Sequence, residues 1–230
     1  MARRRFFATS VQGGEAYLAG PAARHLHRVL RARPGQQFEL AHGGRLYLAT
    51  VRHSSTAEVA FVIDEELAAT TPEPRLELAV ALFKFDRFEW MLEKAVELGV
   101  SAVQPLLTRH TDPRLAAAAP ARRPRWEAIL LAAAEQSRRA DWPTLSEPGR
   151  LDHFLAAPGS GQRLLLSELP GAPSLQPPAA DAVLLAGPEG GFAPEEFSAA
   201  EGAGFISVSL GPRILRVETA VLAALARCRT

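Results

Sequence analysis

The sequence of 230 residues predicts an α/β protein in which a mostly parallel sheet follows a small β-rich module. Three observations support this fold class. Short alternating segments with turn-forming glycines fill residues 1–70. From residue 75 onward, apolar strands alternate with helices, a pattern typical of parallel sheets covered by helices. Between them, Ala68–Pro74 is small, polar and proline-bearing, as expected of a linker. We therefore predict two domains, 1–70 and 75–230.

The first domain is predicted to contain five short strands and one helix. His42-Gly43-Gly44 is typical of a hairpin turn. The helix is expected to begin at Pro21, since proline favours the first helical turn, and to end near Arg31. Arg24, Arg28 and Arg31 are four and three residues apart, so we expect them on one helix face. The strands are predicted at Arg5–Ala8, Glu15–Ala19, Gln37–Ala41, Arg45–Arg52 and Glu58–Ile63.

The second domain begins with a strand and a helix whose ends carry recognisable signals. Asp86 is predicted to cap the helix Arg87–Leu98, with Glu89 completing a capping box and Gly99 following the helix end. The remaining predictions are strands at Leu76–Leu82, Val100–Leu107, Arg163–Ser167, Ala182–Ala186 and Phe205–Leu210, a helix from Pro124 to about Arg139, and loops at Leu115–Ala121 and Gly171–Ala180.

The composition excludes several classes of protein. No apolar run approaches the roughly 18 residues of a membrane span, and the basic start, Met1–Phe7, lacks the apolar stretch of a signal peptide. Cys228 is the only cysteine, so no internal disulfide can form, and we expect a cytoplasmic protein with no membrane partner. Residues 1–63 hold nine arginines against three glutamates. This basic front indicates a polyanionic partner, the alternative being chance asymmetry of a solvated surface.

Two glycine-bearing loops locate the predicted site. Gly187–Gly191 and Gly211–Arg216 each follow an apolar strand and each open a helix. Such loops present backbone N–H groups and positive helix ends to a ligand, and ligands of open α/β sheets bind at the carboxyl ends of strands. No GK[ST] follows, so the first loop is not a P-loop. Ile214 and Leu215 are unusual apolar residues for a loop and could clasp a flat ring such as adenine.

The last helix is predicted to begin with a charged turn that contains Arg216, Glu218 and Thr219. Two structural alternatives stay open: the loops could be simple strand-to-helix turns, and Glu218 could serve helix electrostatics alone. No metal site is predicted, because the histidines are scattered and Cys228 has no partner. No Ser/His/Asp set can be assembled either. A site without metal or nucleophile favours group transfer from a reactive cofactor.

Motifs along nearly the whole chain resemble those of one family, in the same order. Gly187–Gly191 (GPEGG) and Ser209–Ala220 (SLGPRILRVETA) match its C-terminal motifs, Phe88–Val100 matches its helix ending in K-A-x-E-L-G-V, and Ala134–Arg139 matches its A-E-Q-S-x-R. The chain thus resembles the RsmE family, the 16S ribosomal RNA (uracil-N3) methyltransferases of the SPOUT superfamily. Arg138 departs from the pattern, which has a small residue there, often glycine. Further matches are Gln104-Pro105-Leu106, Thr108-Arg109, Arg5-Phe6-Phe7 and His27–Arg31.

The resemblance implies a PUA-like RNA-binding β-barrel followed by a SPOUT domain with a deep trefoil knot. It also implies S-adenosylmethionine as the cofactor and a homodimer. The partner would be 16S ribosomal RNA or the small ribosomal subunit, and the target one uridine. The residues assigned to the cofactor pocket are Leu185, Gly187, Gly190, Gly191, Leu210, Gly211, Ile214, Leu215 and Thr219.

Methylation of uracil N3 requires that the ring lose a proton and that the resulting negative charge be stabilised. We predict that Arg216 stabilises the uracil anion through a carbonyl oxygen. Glu218 or Glu189 is predicted to accept the proton or to orient Arg216, and the choice between them stays open. RNA docking is assigned to Arg3, Arg4, Arg5, Arg24, Arg28, Arg31 and Arg139, with Arg122, Arg123, Arg125 and Arg138 as extensions.

Three other functions share some of these sequence features. A SPOUT methyltransferase with another target, such as a ribose 2′-hydroxyl, would carry the same cofactor loops. A non-catalytic RNA-binding assembly factor could keep the fold, although the intact glycines and Glu218 argue against it. A nucleotide-phosphate enzyme is disfavoured, because GPEGG brings neither a lysine nor a metal-binding Ser or Thr.

Overall fold

The computed structural model describes residues 5–68, 73–159 and 161–229. The chain divides into two compact units, Met1–Pro72 with Ala134–Trp142, and Glu73–Ala133 with Pro143–Thr230. Four residues of the predicted linker, 69–72, lie outside the described residues. The α/β fold class, a small β module followed by a mostly parallel sheet, is confirmed. The boundaries predicted for the two domains stay predictions.

One curled sheet, a PUA-like half-barrel, forms the first unit. Its strands are β1 (Arg5–Phe7), β2 (Ser10–Gln12), β3 (Glu15–Ala19), β4 (Gln37–His42), β5 (Arg45–Ser54) and β6 (Glu58–Leu67). They lie in the order β1-β4-β5-β6-β3-β2, with β1 and β4 parallel and the other pairs antiparallel. The predicted hairpin is confirmed, since His42 pairs with Arg45 across two glycines of positive φ. The short strand β2 was not predicted.

The helix of the first unit is shorter than predicted. It comprises α1 (Gly20–Arg24) and one turn of π-helix, His25–Val29. Arg31 follows this turn with a φ of 52° and so lies outside the helix. The prediction that Arg31 shares a helix face with Arg24 and Arg28 is therefore wrong, because the π-turn and the left-handed residue break the helical spacing. All three side chains are nevertheless exposed.

The second unit is built on a parallel sheet. Its strands are β7 (Leu76–Ala81), β8 (Ala102–Leu107), β9 (Thr144–Leu145), β10 (Gly149–Arg150), β11 (Gln162–Leu166), β12 (Ala182–Ala186) and β13 (Ile206–Val208). They lie in the order β10-β8-β7-β12-β11-β13, and β9 pairs with β8. The central strands β7 and β12 are almost wholly buried, as expected of a sheet covered on both faces. Parallel pairing places the loops after β11, β12 and β13 at one edge of the sheet.

Five helices accompany this sheet in the described residues: α2 (Phe85–Glu97), α3 (Pro113–Gln136), α4 (Leu151–Ala156), α5 (Pro194–Gly202) and α6 (Val217–Cys228). The last of them, α6, packs against α2. Among the described residues, none of the helices combines the length and the apolar character needed to cross a bilayer.

Two predictions about the helices are wrong. Lys84, not Asp86, occupies the N-cap position of α2, and Asp86 lies in the first turn, where a negative charge favours the helix dipole. The segment Leu115–Ala121 is part of α3 and not a loop. Alanine has the highest helix propensity of all residues, and here it outweighs the interruption at Pro120. Gly99 follows the end of α2 with a φ of 83°, as predicted.

Candidate functional site

A cavity of about 510 Å³ lies at the carboxyl edge of the parallel sheet. The segments that follow β11, β12 and β13 line it, together with side chains of α5 and α6. Both glycine loops therefore contribute to one cavity, as expected from their positions after parallel strands. Its volume is within the usual range of small-molecule sites, roughly 300–1,000 Å³.

The structure brings together part of the predicted cofactor set. Five of those residues line the cavity: Gly187, Gly191, Leu210, Gly211 and Leu215. The other four lie elsewhere. Leu185 is fully buried in β12, Gly190 faces His110, Ile214 is 84% exposed and Thr219 is exposed on α6.

Two of the glycines adopt backbone conformations that other residues rarely reach. Gly191 has a φ of 70° and Gly211 a φ of 118°. In addition, the amide of Gly211 donates to the hydroxyl of Ser209 at 3.1 Å, which fixes the start of the second loop. A side chain at either position would be strained, so the shape of both loops depends on glycine.

His110, which follows β8 and was not predicted as a site residue, forms a hydrogen bond with the first glycine loop. Its Nδ1 lies 2.9 Å from the carbonyl oxygen of Gly191, which accepts the hydrogen bond. Next to it, the backbone N–H of Arg109 donates to Glu196 at 2.7 Å, and Glu196 also accepts from Ala193 at the start of α5. These contacts connect the loop after β8 with the loop after β12. These two loops are more than 80 positions apart in the sequence, so no local sequence pattern predicts that they lie next to each other.

Several lining residues were missed by sequence reasoning. Glu168 and Arg213 bring two exposed charges to the cavity, while Leu169, Phe192 and Phe197 extend its apolar wall. The predicted strand Arg163–Ser167 ends just before Glu168, so the strand-end rule could have found it. The sequence does not show which strand lies beside this one, because the order of strands in a parallel sheet depends on how the connecting segments cross over it.

The three predicted catalytic residues lie around the start of α6. Arg216 is the N-cap residue; its side chain is exposed and no ion pair involving it occurs among the described residues. Glu218 is buried, and its Oε2 has no hydrogen-bond partner in the part of the chain that is described. Glu189 is exposed and accepts a hydrogen bond from Nη1 of Arg87 at 3.1 Å. The same nitrogen lies 3.9 Å from Oε1 of Glu218.

The predicted RNA-binding arginines divide into three groups. Arg24, Arg28 and Arg31 are exposed. Arg5 is largely buried and Arg139 pairs with Asp141 at 3.2 Å. Arg3 and Arg4 lie outside the described residues.

Arg5 belongs to an ion cluster within the first unit. Its Nη2 and Nε donate to Oε2 of Glu39 at 2.7 and 3.1 Å, and Nη2 of Arg138 donates to Oε1 at 2.6 Å. Arg5 also donates to the backbone carbonyl of Arg138. Burial acts to raise the pKa of Glu39, but hydrogen bonds from Arg138 and Arg5 outweigh it and lower that pKa below its ordinary value. Arg138 has a φ of 59°, a backbone conformation that glycine adopts most readily.

No cluster of three or more His, Cys, Asp or Glu side chains suited to a metal ion occurs within residues 5–68, 73–159 and 161–229. The lining of the cavity offers backbone groups, apolar walls and the charges of Glu168 and Arg213. Arg216 and Glu218 lie next to the lining residues Leu215 and Val217.

Comparison with known proteins covers both units. Residues 71–229 match a family model described as an RNA methyltransferase domain, and residues 18–64 match an RNA methyltransferase PUA domain. A ribosomal RNA small subunit methyltransferase E from Mesomycoplasma hyopneumoniae is 30% identical over 97% of this chain and 98% of its own length. The protein of that name from Synechocystis is 36% identical over 88% of this chain and 69% of its own.

Among solved structures, a ribosomal RNA small subunit methyltransferase E from Neisseria gonorrhoeae, bound to S-adenosyl methionine, resembles this chain with a TM-score of 0.85. The two are 31% identical, and the match covers 98% of this chain and 96% of the other. A methyltransferase from Legionella pneumophila, in complex with the same cofactor, matches with equal score, identity and coverage.

Proposed function

Because this chain belongs to the ribosomal RNA small subunit methyltransferase E family, we propose that it transfers a methyl group from S-adenosylmethionine to nitrogen N3 of one uridine in 16S ribosomal RNA. The family resemblance found in the sequence motifs is confirmed. The observation that carries the proposal is the cavity, where both glycine loops meet at the carboxyl edge of a SPOUT-type parallel sheet.

The residues of the cavity fit the cofactor. An adenosyl group requires an apolar slot with backbone donors and acceptors, which Leu210, Leu215 and the two glycine loops offer. The methionyl end of the cofactor carries one ammonium and one carboxylate group. Glu168 and Arg213 supply the complementary charges in the same lining.

Methyl transfer to uracil N3 requires that a proton leave the ring. When bound, S-adenosylmethionine supplies a methyl group already activated on a positively charged sulfur. The protein must then position the uracil next to that methyl group, accept the N3 proton and stabilise the ring anion. Arg216 would donate to a uracil carbonyl oxygen and stabilise the ring anion. Glu218 is the better candidate to accept the proton, because it is buried with one oxygen unpartnered, whereas Glu189 is exposed and bonded to Arg87.

RNA docking would use the exposed arginines of the first unit, Arg24, Arg28 and Arg31, together with Arg3 and Arg4 from the predicted set. Arg5 and Arg139, also in that set, are largely buried and paired with Glu39 and Asp141, so they would contribute less. Contacts of this kind bind phosphates and make affinity steeply dependent on salt. The active protein would be a cytoplasmic homodimer that acts on the small ribosomal subunit or its RNA. Sedimentation of the purified protein at working concentration checks the dimer: a monomer that is fully active would contradict it.

One experiment tests the proposed reaction and identifies its substrate. The protein is incubated with methyl-labelled S-adenosylmethionine and either free 16S RNA or assembled small subunits from a strain that lacks the enzyme. The labelled RNA is then digested to nucleosides, which are separated by liquid chromatography against methyluridine standards, and fragmentation in the mass spectrometer shows whether the base or the ribose carries the methyl group. We expect the label in N3-methyluridine, at one position. Primer extension locates that position, because a methyl group on N3 blocks base pairing and stops the polymerase.

Two other results would select the alternatives. Label in 2′-O-methyluridine would assign the chain to ribose methylation, which leaves base pairing intact. Binding of RNA without binding of S-adenosylmethionine in calorimetric titration would favour the non-catalytic assembly factor.

A further inference from the structure

Arg87, on the first turn of α2, lies close to two carboxylates, Glu189 and Glu218, that adjoin the lining of the cavity in the chain. Its Nη1 donates to Oε1 of Glu189 at 3.1 Å and lies 3.9 Å from Oε1 of Glu218. Pro188 and Val217, the chain neighbours of these two glutamates, both line the cavity. One guanidinium therefore links the first glycine loop to the start of α6.

The two carboxylates need Arg87 to different degrees. The side chain of Glu189 is 49% exposed, so water can solvate it and its ion pair contributes little. The side chain of Glu218 is only 9% exposed, and its Oε2 has no hydrogen-bond partner among the described residues. A buried carboxylate without a nearby cation is strongly unfavourable. Glu218 is thus the carboxylate whose position depends most on Arg87.

We propose that Arg87 is a positioning residue for the methyl transfer, which holds the buried Glu218 by its charge, while its bond to the exposed Glu189 contributes little. Arginine suits this position because its planar guanidinium presents several donors at once, and it can face two carboxylates where an ammonium acts as a point charge. The second oxygen of Glu218 then keeps one orientation and is available to the uracil. This inference rests on the proposed function, since it assigns a task to Glu218 in that reaction.

A purely structural role for Arg87 would give different results. In that case its loss would lower stability without changing the turnover of the folded protein. A role confined to the cofactor loop would weaken binding of S-adenosylmethionine and leave turnover at saturation unchanged. The positioning role affects turnover at saturating cofactor and RNA.

The test compares Arg87→Met with Lys84→Met, which removes a neighbouring exposed cation at the start of the same helix. We expect Arg87→Met to lower kcat by about tenfold to a hundredfold, the usual cost of a misplaced catalytic group, with cofactor Kd nearly unchanged. Lys84→Met should keep the wild-type kcat. Arg87→Lys, which retains a cation near Glu218, should lie between wild type and Arg87→Met.

Chemical rescue separates positioning from folding. Arg87→Ala leaves room for a free guanidinium ion, and added guanidinium chloride, far below denaturing concentrations, should restore part of the lost turnover. Thermal unfolding of each variant is followed in parallel. An undiminished kcat in Arg87→Met, or a loss that follows stability and resists rescue, overturns the inference. A wild-type protein that transfers no methyl group would instead overturn the proposed function, and this inference with it.

Discussion

Two buried glutamates, one in each unit, have opposite surroundings. Glu39 in the first unit receives hydrogen bonds from two arginines, and both of its oxygens are bonded. Glu218 in the second unit is buried to the same degree, yet its one nearby cation is 3.9 Å away and its Oε2 is unpartnered in the described residues. A bonded buried charge fixes a fold, whereas an unbonded one is unfavourable and is retained where a ligand or a reaction uses it. The comparison therefore indicates a structural role for Glu39 and supports the role proposed for Glu218.

The largest expected effect is the loss of turnover in Glu218→Gln. Removing a general base costs about 100-fold to 10,000-fold in rate, while loss of an unbonded buried charge should not lower the unfolding temperature. Single-turnover methyl transfer and thermal unfolding measure the two quantities. Glu189→Gln is the matched control and should retain most of the activity. The reverse ranking of the two variants would transfer the role of proton acceptor to Glu189.

Arg216→Ala extends the comparison to the arginines, since Arg5 is bonded to Glu39 and Arg216 is exposed without an ion pair in the described residues. Loss of one donor to a developing anion lowers kcat by about 100-fold. Affinity for S-adenosylmethionine, measured by calorimetry, should change little, because Arg216 does not line the cavity. An equal loss of turnover and of cofactor affinity would refute this role.

Glu39→Gln should destabilise the protein by roughly 3 kcal/mol, because removing one partner of a buried ion cluster leaves the others uncompensated. Denaturant unfolding measures this change. The control is Glu66→Gln, which removes an exposed ion pair with Arg45 and should cost less than about 1 kcal/mol. Equal effects in the two variants would show that the Glu39 cluster does not stabilise the fold.

The stabilisation by Glu39 should depend on pH in a definite direction. Its pKa in the folded protein lies below the ordinary 4.5, so the folded state binds fewer protons than the unfolded one in that window. The contribution is fully present above about pH 4.5 and disappears as pH falls through the folded pKa. The unfolding temperatures of wild type and Glu39→Gln should thus converge in acid. A difference that stays constant with pH would contradict the assignment.

The smallest effect concerns Arg138, which combines an ion pair with a left-handed backbone at a φ of 59°. Both Arg138→Gly and Arg138→Ala lose the pair with Glu39, but only glycine relieves the backbone strain. We expect the glycine variant to be more stable than the alanine variant by about 1 kcal/mol in denaturant unfolding. Equal stability of the two would mean that the backbone at this position is unstrained.

Much of the fold could be predicted because its signals are local. The hairpin at His42-Gly43-Gly44 and the longer strands of both units follow from turn residues and apolar spacing over a few positions, whereas the short strands β2, β9 and β10 were not predicted. The helix caps were less predictable: Asp86 fits the capping pattern but lies inside the first turn of α2. The shift arises because the chain that enters a helix is placed by tertiary packing, which the local pattern does not contain.

The candidate site was predictable in part, for the same physical reason. Gly191 and Gly211 could be predicted because glycine marks backbone conformations that other residues rarely adopt, and because the preceding strands end at one edge of the sheet. Ile214 was assigned to the pocket by its apolar character, yet its side chain is exposed. Arg87 and His110 were missed because each meets the first glycine loop from a distant part of the chain.

The sequence by itself determined the fold class, the family and the two loops, since these depend on residue types at short spacing. Only the tertiary structure decided which charges meet. Arg5 and Glu39 become partners because β1 pairs with β4, and Arg87 reaches Glu189 across 102 positions because β12 inserts beside β7. Electrostatic energy depends on distance in space, which strand order determines and local sequence does not.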